Sequence, residues 1–225
     1  MPIHPNSDLV SVYGCLEHWN RPQQRRSSFH HLHRIVRYGF SLRASEVLEL
    51  TINTDPRIAR LDSVRDLCHS NIFSALVVLR GEELVHEHYA QDFPPHEAHT
   101  VMSITKTMIH LIIGRCVKDG LIDLSATVSD YLPEIGSGYA SAKIQDVLDM
   151  NVVNDYSEDY SDPHTTAMAH NIAMGWRLPE AGFGAITNRE FLRTIQGRNL
   201  VNRSGELHYK SANTDVLSWI AESVS

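Results

Sequence analysis

The chain has 225 residues, of which 42% are hydrophobic and 21% charged, enough apolar mass for one large buried core at an ordinary globular composition. Its net charge is −7, and no aromatic stacking platform or nucleic-acid module accompanies its basic residues, so a nucleic-acid partner is not expected. Cys15, Cys68 and Cys116 are too far apart for a disulfide framework or a zinc knuckle, and free thiols fit a reducing compartment.

The opening MPIHPNSDLV lacks a basic segment followed by an apolar one, so no secretory leader is read there and a cytoplasmic location is expected. Residues 1–60 read as a peripheral arm. It carries Arg21, Arg25, Arg26, Arg34, Arg37 and Arg43, taken as a solvated, partly disordered basic stretch. Its His30-His31-x-His33 cluster has no carboxylate or cysteine at ligand spacing, so no metal is assigned to it. Ser45 to Ile52 is apolar enough for a strand or a short helix, and the pattern does not choose between them.

A readable domain begins at residue 61. Leu61, Val64, Leu67 and Cys68 recur at three- and four-residue steps, as one buried helix face would. Phe73 to Leu79 and Leu84 to Tyr89 are β-rich runs joined by a turn containing Gly81, which predicts an antiparallel hairpin. His86 and His88 fall on one face of the second strand and are read as packing residues. A helix is expected from Ser103 through Val117, apolar nearly all round and therefore central and buried, with Lys118 and Gly120 as its stop signals. Its longest apolar stretch, Met108 to Ile113, is too short to cross a bilayer. Further helices are predicted over Ser141 to Met150, after the capping box Thr187-x-x-Glu190, and from Asn213 onward.

Two places could carry chemistry. In Ser103-Ile-Thr-Lys106 the serine and lysine stand three apart, on one helical face. A serine hydroxyl needs an adjacent base to act as a nucleophile. Desolvation on an apolar helix would lower the lysine pKa and fit it for that role. A helix start also offers unpaired N–H groups to a developing oxyanion. The tetrapeptide alone is weak evidence, since S-x-x-K arises about once by chance in a chain this long. Its weight comes from opening the most hydrophobic helix directly after a hairpin. The second place is Tyr209, before Ser211 and Asn213 at a loop-to-helix junction, where a phenol near cations could relay a proton. By spacing alone it reads as a surface tyrosine ahead of a helix cap.

The order of these features resembles the serine β-lactamase and penicillin-recognising superfamily, in its class C β-lactamase-like branch and nearest to 6-aminohexanoate-dimer (nylon oligomer) hydrolases and related esterases. The resemblance is carried by Met102-Ser-Ile-Thr-Lys-Thr107, Gly120-Leu-Ile-Asp-Leu124, Val128-Ser-Asp-Tyr-Leu-Pro133, Asp146-Val-Leu-Asp-Met150, Tyr156-Ser-Glu-Asp-Tyr160 and Tyr209-x-Ser-x-Asn-Thr-Asp215, in that order over residues 70–225. It implies an α/β (α+β) fold with an antiparallel sheet flanked by helices and a helical subdomain. It also implies an amide- or ester-cleaving serine hydrolase that acts on a small molecule and needs no cofactor or metal. Ser103 would be the nucleophile, Lys106 its base or pKa-lowering partner, Tyr209 the proton shuttle, and Tyr160 a substrate-side residue.

Class C enzymes carry Tyr-x-Asn where this chain has Tyr209-Lys-Ser211, which turns the expectation from a β-lactamase toward the esterase or amidase branch. The family's third motif belongs to a strand beyond residue 225. Residues 61–225 are therefore expected to form an incomplete domain, inactive or poorly folded alone. A D-alanyl-D-alanine peptidase and a catalytically silent binding relative remain the other readings, and oligomeric state is not legible. The acidic residues Glu158, Asp159 and Asp162 lack calcium-loop spacing and read as solvated loop charge.

Overall fold

The computed structural model describes residues 21–32, 42–162, 164–176, 179, 186–197 and 202–225. Cys15, His33, Arg34 and Arg37 lie outside them. The chain divides into two compact units, the first ending at Thr100 and the second running from Val101 to Ser225.

The N-terminal unit holds helix α1 (Arg25–His31), strand β1 (Thr51–Ile52), helix α2 (Asp62–Cys68) and strands β2 (Ala75–Arg80) and β3 (Glu83–Tyr89). The predicted hairpin is present, with Ala75 paired to Tyr89 and Arg80 to Glu83 and a register shift between Val78 and Leu79. Gly81 takes a φ of 61° in the two-residue turn, a conformation that costs glycine nothing. The sheet is mixed rather than antiparallel, because Thr51 and Ile52 add a short parallel edge to β3. Within Ser45 to Ile52 only Thr51 and Ile52 form a strand, after a bend at Ser45 and Glu46.

Two expectations for this unit fail. Helix α2 forms but has no buried face: Leu61 and Leu67 are exposed and only Val64 and Cys68, four residues apart, are half-buried. Seven residues give too little length for a wide apolar stripe to pack. The basic arm is not simply solvated either. Arg26 pairs with Asp92 and donates to the Phe73 carbonyl. His30 is buried, with Nε2 2.9 Å from Ser74 Oγ and its ring 4.6 Å from that of Phe93. Burial, then the charge of Arg26, lowers its pKa. His88 lies against Phe73 at 5.6 Å between ring centroids, a packing role.

The second unit is helical: α3 (Lys106–Lys118), α4 (Val128–Tyr131), α5 (Ile144–Leu148), α6 (Thr166–Ala173), α7 (Asn188–Thr194) and α8 (Ser211–Val224). The capping box at α7 is formed, Thr187 Oγ1 accepting from the Glu190 amide and Glu190 from the Thr187 amide. The buried central helix is α8, not α3. Ala212, Val216, Leu217, Trp219, Ile220 and Ala221 are buried along it, and Arg189 and Arg193 lie over the Trp219 ring at 5.2 and 5.4 Å.

Of α3, only Ile113 and Cys116 are buried, with Ile109 and Val117 beside them on the face toward α8. Met108, Leu111 and Ile112 are exposed. An all-round apolar composition therefore did not mean all-round burial, because α8 covers one face. Cys68 and Cys116 are free thiols. Among the described residues no helix is long and apolar enough to cross a membrane.

Candidate active site

The chain enters the site through Met102, whose φ of 44° is unusual for a residue with a side chain and costs about 1–3 kcal/mol. It turns the backbone sharply into a short 3-10 helix, Met102–Thr105, and the α-helix starts only at Lys106. Ser103 thus precedes the α-helix by one tight turn. In 3-10 geometry residues three apart eclipse one another. The consequence is direct contact, with Lys106 Nζ 2.9 Å from Ser103 Oγ. The Ser103 amide lies in the first turn of a helix, where N–H groups have no intrahelical acceptor.

The third group comes from far along the chain. Tyr209 stands two residues ahead of α8, and its hydroxyl donates to Ser103 Oγ at 2.8 Å. Lys106 Nζ lies 5.6 Å from the centre of the Tyr209 ring. Partial burial pushes the Tyr209 phenol up, but hydrogen bonds with Ser103 and Lys106 and the Lys106 charge outweigh it, leaving its pKa below the ordinary value. A serine oxygen therefore meets two proton-transfer groups at hydrogen-bonding distance. Ser103 itself is exposed, so a ligand can reach it.

Tyr160 does not join this cluster. Its ring is exposed on the loop after Tyr156, and its hydroxyl donates to Glu158 at 2.5 Å. Burial, then that bond, raises its pKa. Glu158 corrects the solvated-charge reading. Half-buried, it accepts from the Ser211 amide at 3.0 Å and the Ser211 hydroxyl at 2.8 Å. Burial alone would raise its pKa, yet the Ser211 and Tyr160 hydrogen bonds hold it below the ordinary carboxylate value.

Lys210 is buried and donates to the Tyr156 carbonyl at 2.6 Å. Burial lowers its pKa against the opposing charges of Glu158 and Asp155. Neither Glu158 nor Lys210 had a sequence signal for the bonds each makes to the far segment, which lies more than fifty residues away. Asn213, the displaced asparagine of the tyrosine motif, faces the core. It is fully buried, accepts from Tyr139 and donates to the Val147 carbonyl, so it is a packing residue rather than a site group.

Comparison with known proteins bears on this arrangement. Over 178 residues the chain is 37% identical to the 6-aminohexanoate-dimer hydrolase of Paenarthrobacter ureafaciens, an alignment covering 79% of this chain and 44% of that enzyme. Its fold matches a solved Bacillus anthracis structure, provisionally named a 6-aminohexanoate-dimer hydrolase, with a TM-score of 0.72 at 18% identity, covering 92% of this chain and 56% of the other. The chain thus spans about half the length of these relatives. The family model for beta-lactamase matches residues 73–225, and the chain belongs to that family.

Proposed function

We propose that the protein is a serine hydrolase cleaving an amide or ester bond of a small substrate through an acyl-enzyme on Ser103. The observation that carries this reading is the convergence of Lys106 Nζ and the Tyr209 hydroxyl on one serine oxygen, at 2.9 and 2.8 Å. As Ser103 Oγ bonds to the carbonyl carbon, its proton passes to the Lys106–Tyr209 pair, which acts in the form that has given up one proton, and the carbonyl electrons move onto oxygen. The Ser103 amide is positioned to be one donor to that oxyanion. Collapse of the intermediate breaks the bond to the leaving nitrogen or oxygen, and Tyr209 delivers the proton to it. Water then attacks the ester, its proton passing to the same groups and from them to the departing Ser103 oxygen.

The name of the Paenarthrobacter relative points to short linear amides such as 6-aminohexanoate oligomers as first substrates to try. Tyr160, exposed on its loop, is proposed to touch the substrate. Residues 61–225 would carry the site as part of the hydrolase domain, with residues 1–60 as an extension, in the cytoplasm, where free thiols such as Cys68 and Cys116 persist. The test is labelling of the whole protein by a fluorophosphonate. Labelling of the parent but not of Ser103→Ala is the expected result. If neither labels, the protein is a silent relative that uses the fold for binding.

A further inference from the structure

Tyr209 is in hydrogen-bond contact with Ser103, but its place is set by what holds the start of α8. The His208 amide, bonded to the Met150 carbonyl at 3.0 Å, and Asn213, bonded to Tyr139 and the Val147 carbonyl, hold it in part; two further anchors lie in the segment 156–158. Lys210 Nζ donates to the Tyr156 carbonyl at 2.6 Å. The Glu158 carboxylate accepts from the Ser211 amide at 3.0 Å and the Ser211 hydroxyl at 2.8 Å, and its Oε1 also takes the Tyr160 hydroxyl. Glu158 is thus bonded both to the helix start beside Tyr209 and to the loop that carries Tyr160. An uncharged amide cannot reproduce this: the two hydroxyls meet Oε1 and the Ser211 amide meets Oε2, so on whichever side the amide nitrogen stands a donor faces a donor. The segment is itself rigidly held: the Asp155 amide donates to the Gln196 carbonyl at 2.9 Å, and the Gln196 amide donates to the Asp155 carboxylate at 2.8 Å.

We propose that Glu158 is a positioning residue of this site, its carboxylate holding the Tyr209 phenol against Ser103 and Lys106 while fixing the Tyr160 loop in the same register. The proposal rests on the serine hydrolase reading for its catalytic meaning, but the positioning can be measured without any turnover. Lys106 is the charge that faces Tyr209; Lys210 and Asp155 are the charges that act with Glu158 at the anchored end.

The experiment titrates Tyr209 in the whole protein by phenolate absorbance, its signal identified as the difference between each background and the same background carrying Tyr209→Phe. In Glu158→Gln the phenol loses its registration against Lys106, so its midpoint rises toward that of an ordinary tyrosine. A clamp with no positioning role leaves the midpoint unchanged. A purely electrostatic role moves it down, since removing an anion favours phenolate. Either result overturns the proposal. Should Glu158→Gln fail to fold, Glu158→Asp, which keeps the charge on a shorter arm, is expected to raise the midpoint as well. Fluorophosphonate labelling of Ser103, followed in parallel, is expected to slow by roughly tenfold or more, as misplacement of about an ångström does. Absent labelling in the parent would sink the hydrolase reading while the titration still decides the role of Glu158.

Discussion

At Ser103 two side chains from distant parts of the chain meet on one hydroxyl oxygen. Lys106 and Tyr209 both hydrogen-bond to it, so neither partner is separable from the other in its effect. Lys106→Ala and Tyr209→Phe are each expected to slow acylation by about 10²–10⁴-fold. The double variant should lose little more than the worse single one, because residues acting as a unit fail together. Stopped labelling assays on the three variants check this, and independent additive losses would contradict it. The pH profile gives a second handle. Tyr209 is held below its ordinary pKa in part by the Lys106 hydrogen bond and charge, so Lys106→Ala removes two lowering causes and the phenol rises. The alkaline midpoint of labelling should therefore move to higher pH in that variant. Glu158 titrates in the opposite range. Its folded pKa lies below the ordinary 4.5, so its anchoring is complete above that value and fades as pH falls through the folded one.

Among the elements, close backbone approach decides more than helix propensity. Gly136 sits where a side-chain carbon would come within 2.6 Å of the Arg193 carbonyl oxygen, and closer still to that of Ile195. The next glycine donates its amide to the Ile195 carbonyl at 2.9 Å. Ser137 bonds to Gln196 at 2.9 Å, and Gln196 in turn holds Asp155, one residue before Tyr156. The turn at Gly136 is thereby linked through the end of α7 to the loop that anchors α8. Backbone oxygens cannot move aside as a flexible side chain can. Gly136→Ala should therefore destabilise the fold by about 1–3 kcal/mol, read as a lower urea midpoint. An unchanged midpoint would mean that this contact is looser than described. A similar logic explains α3. Its apolar composition predicted full burial, but a helix is buried only where another element reaches it, and α8 reaches it along the face of Ile113 and Cys116.

For the molecule as a whole, one buried polar group joins the helical unit together. His170 is 1% exposed and stacks on Phe191 at 4.8 Å. Its Nε2 faces the Asp215 carboxylate at 2.7 Å and the Asn188 side-chain oxygen at 3.1 Å. Two acceptors on Nε2 place a proton there, and Nδ1 meets the Tyr156 hydroxyl at 3.0 Å. Helices α6, α7 and α8 and the anchoring loop thus share one imidazole. His170→Ala would take one hydrogen-bond partner from the buried Tyr156 hydroxyl as well as leave a cavity, and is expected to cost about 2–4 kcal/mol. Denaturant unfolding with an unchanged slope and a lower midpoint is the expected signature. No sequence pattern marked this residue, because its partners come from three separate elements.

Local patterns were sufficient for the hairpin, whose glycine turn and alternating strands are set by neighbouring residues, and for the capping box at Thr187 and Glu190. They also put Ser103 and Lys106 on one helical face, while the contact itself came with the 3-10 start at Met102. Tyr209 was legible only through the ordered set of family motifs. The mixed sheet, the central position of α8, the core role of Asn213 and the anchoring by Glu158 depended on which distant segments meet. Each is a property of packing between elements, and the one-dimensional spacing of residues carries no record of that packing.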